Sequence, residues 1–214
     1  MEELKMNEKL KTGTTTVGLV CQDGIVLGAD MRATAGNMIV DKSVSKIEPI
    51  ADKMALTFAG VVSDIQLLTK LITAEIKLKQ IRTGKEITVQ AAANLLANMV
   101  YSTIRNPYFP GIAHFLLGGA DIDGLHLYDI YPDGSITLKT DYTSSGSGSV
   151  FAYGVLESQY QPDLSVNDGI KLVRQAINAA LQRDSASGQG IKIVIITKDG
   201  VKEHSIKKVS YELK

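Results

Sequence analysis

The chain has 214 residues, 44% of them apolar and 21% charged, with 23 acidic side chains against 23 basic ones. That balance fits one compact domain with a sizeable core and excludes a disordered tail, and zero net charge offers no global field for nucleic acid or a membrane surface, so neither is an expected partner. One cysteine, Cys21, permits no intrachain disulfide, and three scattered histidines show no ligand spacing; no metal and no cofactor is expected, and the setting is expected to be reducing and cytoplasmic.

Met1 to Gly13 mixes acidic and basic residues without an apolar stretch, so it does not read as a secretory signal. No apolar run approaches the roughly 18 residues of a membrane helix. Two β-branched, apolar runs follow, Thr15 to Val20 and Ile25 to Ala29, separated by Asp23-Gly24. Asp-Gly between such runs predicts a hairpin with a type I′ turn, whose two central residues have positive φ. The same dipeptide recurs at Asp123-Gly124, Asp133-Gly134 and Asp199-Gly200, so the chain reads as a series of antiparallel hairpins.

Between the strand blocks lie helical patterns. Ser63 is placed to cap a helix carrying Ile65, Leu68, Ile72 and Ile76 at three- and four-residue steps and ending near Gly84. A second runs from Thr88, with Leu95, Leu96, Met99 and Val100, and stops before Asn106-Pro107; the short link around Gly84 makes the two an antiparallel pair. Two more are predicted over Ser149 to Tyr160 and Val166 to Asp184, the latter introduced by Ser165 and Asp168 in a capping-box-like spacing. Strands, two helices, strands, two helices, strands is an α+β order. Two antiparallel sheets packed face to face, with a helix pair on each outer side, would bury every apolar face named: a four-layer αββα sandwich. The Gly/Ser-rich stretch Ser144 to Ser149 is short enough to be a loop, and no linker or repeat divides the chain. The histidines His114, His126 and His204 sit in separate segments and read as structural, and Cys21 reads as a small buried strand residue.

The stretch that points to chemistry is Gly13-Thr14-Thr15-Thr16-Val17-Gly18. Three threonines alone merely open a strand. The first hairpin, however, brings Asp30, Met31 and Arg32 back beside Thr14 to Thr16, and Lys46 begins the next strand-like segment. A threonine hydroxyl is a weak nucleophile until a base takes its proton, and an N-terminal amine, with an ordinary pKa near 8, can be that base.

Gly13-Thr14-Thr15-Thr16-Val17-Gly18, Gly28-Ala29-Asp30-Met31-Arg32-Ala33-Thr34, Lys46, Ala59-Gly60, Gly146-Ser147-Gly148 and Arg183-Asp184-Ser185-Ala186-Ser187-Gly188 occur in that order, and together they resemble the β subunit of an archaeal-type 20S proteasome. The resemblance implies an N-terminal nucleophile (Ntn) hydrolase, a threonine endopeptidase, in which residues 1–13 are a propeptide and 14–214 a single catalytic domain. It implies that Thr14 attacks the Gly13 carbonyl, that an N-to-O acyl shift and hydrolysis release the propeptide, and that the freed Thr14 is the nucleophile. Lys46 and Asp30 match the charged pair beside it, Gly60 the backbone oxyanion donor, and Ser147, Asp184 and Ser187 the polar residues around the amine. Whether the amine, Lys46 or a water accepts the proton stays open.

By the same resemblance, substrate is an extended peptide added as a strand between Ala33-Thr34 and the Gly60 segment, with a side-chain pocket formed by Ala33, Val44, Phe58 and Val62. Apolar walls suggest cleavage after hydrophobic residues, with Glu48 nearby. Val61-Val62-Ser63-Asp64 lacks the glycine that often precedes this aspartate in relatives, a departure that touches pocket shape and helix entry. The implied partners are other β subunits in a seven-membered ring, proteasome α subunits, an ATP-dependent unfoldase and unfolded polypeptide substrates. Two alternatives are a bacterial two-ring peptidase of the same superfamily, against which Arg183 to Gly188 argues, and a non-catalytic or partner-dependent ring subunit, against which Thr14, Asp30 and Lys46 together argue.

Overall fold

A computed structural model describes residues 13–108 and 110–208. Residues 1–12, which hold most of the expected propeptide, lie outside the described residues. The elements in chain order are β1 (Thr16–Val20), β2 (Ile25–Asp30), β3 (Ala33–Ala35), β4 (Met38–Asp41), β5 (Ile47–Ala51), β6 (Met54–Gly60), α1 (Val62–Thr83), α2 (Val89–Ile104), β7 (Ala113–Asp121), β8 (Gly124–Ile130), β9 (Ile136–Lys139), β10 (Tyr142–Ser145), α3 (Ser149–Gln159), α4 (Val166–Arg183), β11 (Gly190–Thr197) and β12 (Gly200–Lys208).

Two five-stranded sheets, ordered β10-β1-β2-β11-β12 and β5-β6-β7-β8-β9, are antiparallel throughout, and β3 and β4 form a small separate hairpin. The period-two alternation of β2 shows why the sheets stack. Val26 turns toward α3 and α4, in a cluster with Val173 and Ile177, while Ile25, Leu27 and Ala29 turn toward the other sheet and meet Leu127. On the far side, Leu56, Phe115 and Leu117 pack against Ile65, Leu68 and Ile72 of α1 and Leu96 and Val100 of α2. Three apolar interfaces separate four layers, which is the predicted αββα sandwich. Burial at roughly 25 cal/mol per Å² of apolar surface across three such interfaces is what offsets the chain entropy of ordering them.

The helices fall where their periodicity places them, with one local correction. Ser63 does not cap α1: the cap position is Val61, with no side-chain cap bond, and Ser63 lies inside the first turn. Asp64 is recruited instead, its Oδ2 accepting the Ile112 N–H at 3.2 Å, so a carboxylate in the first turn ties the helix entry to the strand that follows it in the sheet. Ser165 does cap α4, accepting the Asp168 N–H at 3.2 Å and donating to the Asp168 carboxylate at 2.9 Å. Thr88 likewise caps α2, and Gly84 closes α1 in the left-handed region with φ 66°.

The hairpins form, but not on type I′ turns. In the first, Cys21 N–H donates to the Gly24 carbonyl, so Gln22 and Asp23 are the central residues and neither has positive φ. Gln22 N–H donates to Leu164, and the Asp23 carboxylate accepts Val166 N–H at 2.9 Å. The loop before α4 thus fixes a turn that the dipeptide alone would have set one residue later. The Asp121 to Gly124 and Thr197 to Gly200 hairpins repeat this register, with glycine closing the turn, as negative-φ turns favour. Cys21 is buried as expected but sits at the hairpin end rather than in a strand. Among the described residues no helix is long and apolar enough to cross a membrane, and no cluster of three His, Cys, Asp or Glu could hold a metal ion.

Candidate active site

The site lies where β1, β2 and β5 start or end at one edge of the sandwich. Thr16 pairs with Ala29 in β2 and with Ser145 in β10, so Thr14 and Thr15, immediately ahead of β1, are held beside the end of β2 and the loop after β10. Thr14, Thr15 and Gly13 are all buried. Adding a Cβ at Gly13 would place it 1.7 Å from Ala186 Cβ, so no larger residue fits ahead of Thr14 without displacing the Ser185 to Gly188 segment.

Asp30 is fully buried at the end of β2 and gathers four donors. Its Oδ1 accepts from Thr15 N–H at 3.0 Å and from Lys46 Nζ at 2.7 Å; its Oδ2 accepts from the N–H groups of Arg32 and Gly188, each at 3.0 Å. Three backbone amides and one ammonium satisfy the lone pairs of this buried carboxylate. Lys46, only 4% exposed, therefore has its counter-ion in place. Burial pushes the Lys46 ammonium below the ordinary lysine value, and the attraction and hydrogen bond of Asp30 offset part of that.

Lys46 Nζ also donates to the Gly13 carbonyl oxygen at 3.2 Å, and Thr14 Oγ1 donates to the same oxygen at 2.7 Å. The Gly13–Thr14 peptide thus has a hydroxyl on one side and a cation polarising its carbonyl. On the other flank, Thr14 N–H donates to Ser147 Oγ at 3.3 Å, and Ser147 Oγ donates to Asp184 Oδ2 at 2.7 Å. Ser187 Oγ donates to that same oxygen at 2.6 Å, which leaves Thr15 Oγ1 as the donor in its 2.7 Å contact with Ser187. Ser187 is therefore linked to Thr14 through Asp184 and Ser147.

Asp184, the C-cap of α4, links that helix to the site. Gly60 ends β6 with φ 135°, and a Cβ there would come 2.3 Å from the Ile112 carbonyl oxygen; only glycine fits both the conformation and the space.

Beside Thr14 an open cleft of about 560 Å³ is lined by Ala33, Thr34, Val44, Phe58 and Val62, the residues expected for the pocket, and by Gly60 and Glu48. The structure adds residues that sequence reasoning left without a role. Ile65 and Gln66 line the cleft from the first turns of α1, three and four positions after Val62, and that helical spacing was the signal available to find them. Arg32, beside Thr14 to Thr16 as the hairpin predicts, also holds a loop: its Nη1 donates to the Ser185 carbonyl at 2.7 Å, clamping the segment that carries Ser187 and Gly188.

Two comparisons with known proteins bear on this arrangement. A family model described as "Proteasome subunit" matches residues 10–196. The chain is similar to a protein called "Proteasome subunit beta" from Methanocaldococcus fervens, 44% identical over 205 residues covering 94% of this chain and 90% of that one. It is similar to a protein of the same name from Archaeoglobus profundus, 47% identical over 96% of this chain and 94% of that one. It is also similar to "Proteasome subunit beta 2" from Pyrococcus furiosus, 48% identical over 94% and 95% of the two chains.

Proposed function

Because the chain belongs to the proteasome subunit family, as a β subunit of the 20S particle and a member of a family of peptidases, we propose that it is a threonine endopeptidase that matures by cutting its own chain between Gly13 and Thr14. The observation that carries this reading is the shared hydrogen bonding of the Gly13 carbonyl oxygen, with Thr14 Oγ1 at 2.7 Å and Lys46 Nζ at 3.2 Å.

In the first stage Thr14 Oγ attacks the Gly13 carbonyl carbon and loses its proton. The oxygen of that carbonyl becomes an oxyanion facing Lys46, where an ammonium desolvated by the protein acts more strongly than it would in water. The C–N bond then breaks, its nitrogen takes the proton that Thr14 Oγ lost, and Gly13 is left as an ester on Thr14. Water hydrolyses the ester, which releases residues 1–13 as a carboxylate and leaves 14–214 as the catalytic domain with a free Thr14 amine. That amine, held by Ser147 Oγ, is the group placed to accept the Thr14 Oγ proton in later turnovers. The Lys46 charge holds its pKa down, and Asp30 orients the lysine.

In the mature chain a peptide lies as an added strand between Ala33-Thr34 and the Gly60 segment, with the Gly60 N–H stabilising the oxyanion. Apolar walls from Ala33, Val44, Phe58 and Val62 favour cleavage after hydrophobic residues, with Glu48 at the rim. As a proteasome β subunit the chain assembles with other proteasome subunits. The finer assembly belongs to the proposal: a seven-membered β ring, rings of α subunits and an ATP-dependent unfoldase delivering unfolded polypeptides, in the cytoplasm. Exposed Leu67, Leu71, Leu78 and Ile81 along α1 support burial of that helix in such an assembly.

The intact mass of the assembled chain tests the reading. Loss of Met1 to Gly13, abolished together with peptidase activity by Thr14→Ala, is expected; an unprocessed chain with full peptidase activity would overturn it. A panel of fluorogenic peptides tests the pocket, and faster cleavage after acidic or basic residues than after hydrophobic ones would remove that part of the proposal.

A further inference from the structure

The carbonyl side of the Gly13 peptide is held by Thr14 and Lys46, but the N–H of Gly13 has a partner from a different part of the fold. It donates to Thr34 Oγ1 at 3.1 Å, a buried contact across 21 residues of sequence. We propose that the Thr34 hydroxyl is a positioning residue for self-cleavage, fixing the orientation of the Gly13 residue so that its carbonyl carbon stays within reach of Thr14 Oγ. The inference rests on the self-cleavage reading above and assigns Thr34 a side-chain task distinct from the backbone pairing expected of Ala33-Thr34.

Three observations support it. First, Thr34 is 7% exposed although it belongs to a three-residue strand whose other members are half-buried or exposed, so its side chain is the one turned inward. Second, the β3/β4 ladder is irregular at this point. Ala33 pairs with Asp41 and Thr34 with Ile39, skipping Val40, and a bulge of this kind sharpens the local twist and re-aims side chains. Third, Gly13 has no side chain to fix its backbone, while its carbonyl group is already engaged by a hydroxyl and an ammonium. A glycine ahead of the scissile bond loses more backbone freedom than any other residue in reaching a reactive geometry, and an acceptor on its N–H removes much of that freedom in advance. Lys46 and Thr34 then hold the carbonyl oxygen and the N–H of one residue from separate strand segments, and the residue between them cannot turn its carbonyl carbon away from Thr14.

The test follows processing of the full-length chain, assembled with its partner subunits, by intact mass over time. Thr34→Val, which keeps the shape and removes the acceptor, is expected to slow loss of Met1 to Gly13 about five- to tenfold, the size of one neutral hydrogen bond. Thr34→Ser, which restores the oxygen, is expected to process within about twofold of wild type. Should Thr34→Val not fold, Thr34→Ala carries the same expectation.

A second readout uses the Thr14→Ala precursor, in which the Gly13 amide is expected to exchange its hydrogen several-fold faster once Thr34→Val is added. Processing of Thr34→Val and Thr34→Ala at the wild-type rate, or an unchanged Gly13 exchange rate, would overturn the inference while leaving self-cleavage standing. A wild-type chain that never processes would overturn both.

Discussion

Asp30 and Asp129 are both sealed from solvent, at 0% and 1% exposure, and each has a basic nitrogen 2.7 Å away, from Lys46 and His114 respectively. Asp30 sits at a strand end and takes three backbone amides from three separate segments, so the carboxylate anchors those segments around the Gly13–Thr14 bond. Asp129 sits within β8, between the sheets, and is satisfied by side chains: His114 from β7 and Thr143 from β10, whose hydroxyl donates at 2.5 Å and also meets Tyr153 at 3.2 Å. One pair faces a cleft and touches the Gly13 carbonyl; the other ties one sheet to the other. A buried carboxylate with a nitrogen partner is thus no mark of chemistry in itself. What distinguishes the two is what the partner touches next.

Substitution should separate the pairs sharply. Lys46→Met is expected to abolish self-cleavage and lower peptidase kcat/KM by at least about 10³-fold, because both stages lose their cation. It should also cost about 3–5 kcal/mol of stability by leaving the buried Asp30 carboxylate without its ammonium partner, read from urea midpoints. Gly60→Ala should lower kcat/KM by about 10²–10³-fold with processing affected less, since the oxyanion site assigned to Gly60 serves later substrates. His114→Gln, by contrast, is expected to keep peptidase activity within about threefold and to cost about 1–2 kcal/mol as one hydrogen bond to a buried carboxylate weakens. Equal losses of activity in the Lys46 and His114 variants would erase the distinction.

The pH dependence of stability sharpens the same contrast. Burial lowers the Lys46 pKa from its ordinary 10.5, so between the lowered value and 10.5 the unfolded chain binds more protons than the folded one. Stability contributed by this group therefore rises as pH climbs through that window. The difference in unfolding free energy between wild type and Lys46→Met is expected to shift toward wild type between neutral and alkaline pH. The smallest effect belongs to Cys21, whose thiol is pushed up to about 12 by burial and by the nearby Asp23 and Asp168 carboxylates. With almost no thiolate present at neutral pH, alkylating reagents should leave both the thiol and the peptidase activity untouched, as mass and rate measurements would show.

The layers were legible because each apolar face obeys one period. Ile65, Leu68, Ile72 and Ile76 repeat at helical steps, and Ile25, Leu27 and Ala29 alternate with Val26. Local punctuation was less legible wherever a distant group intervened. Asp64 faces Ile112 and Gln22 donates to Leu164, so neither the cap of α1 nor the first turn follows from its own neighbours. The hairpin alone brings Asp30 beside Thr14, but Lys46, Ser147 and Asp184 come from three further segments that no spacing rule brings together; for these the resemblance was needed. The Thr34 contact depends on an irregular ladder, and the Asp129 pair on a diagonal across two strands, and neither leaves a trace in residue order.

β1 is an interior strand, laddered to β10 on one edge and β2 on the other from Thr16 onward. The proposed cut just ahead of it would leave the Thr14 end anchored in the sheet, whereas Gly13 belongs to no strand of it. Before the cut the reacting groups meet at the effective concentration of a single chain, about millimolar or higher; afterwards, rejoining requires a chance encounter at whatever dilution the cell provides. In the proposed reaction the sheet would act as a ratchet: it adds no bond to the products, and it favours one direction by keeping one of them in place.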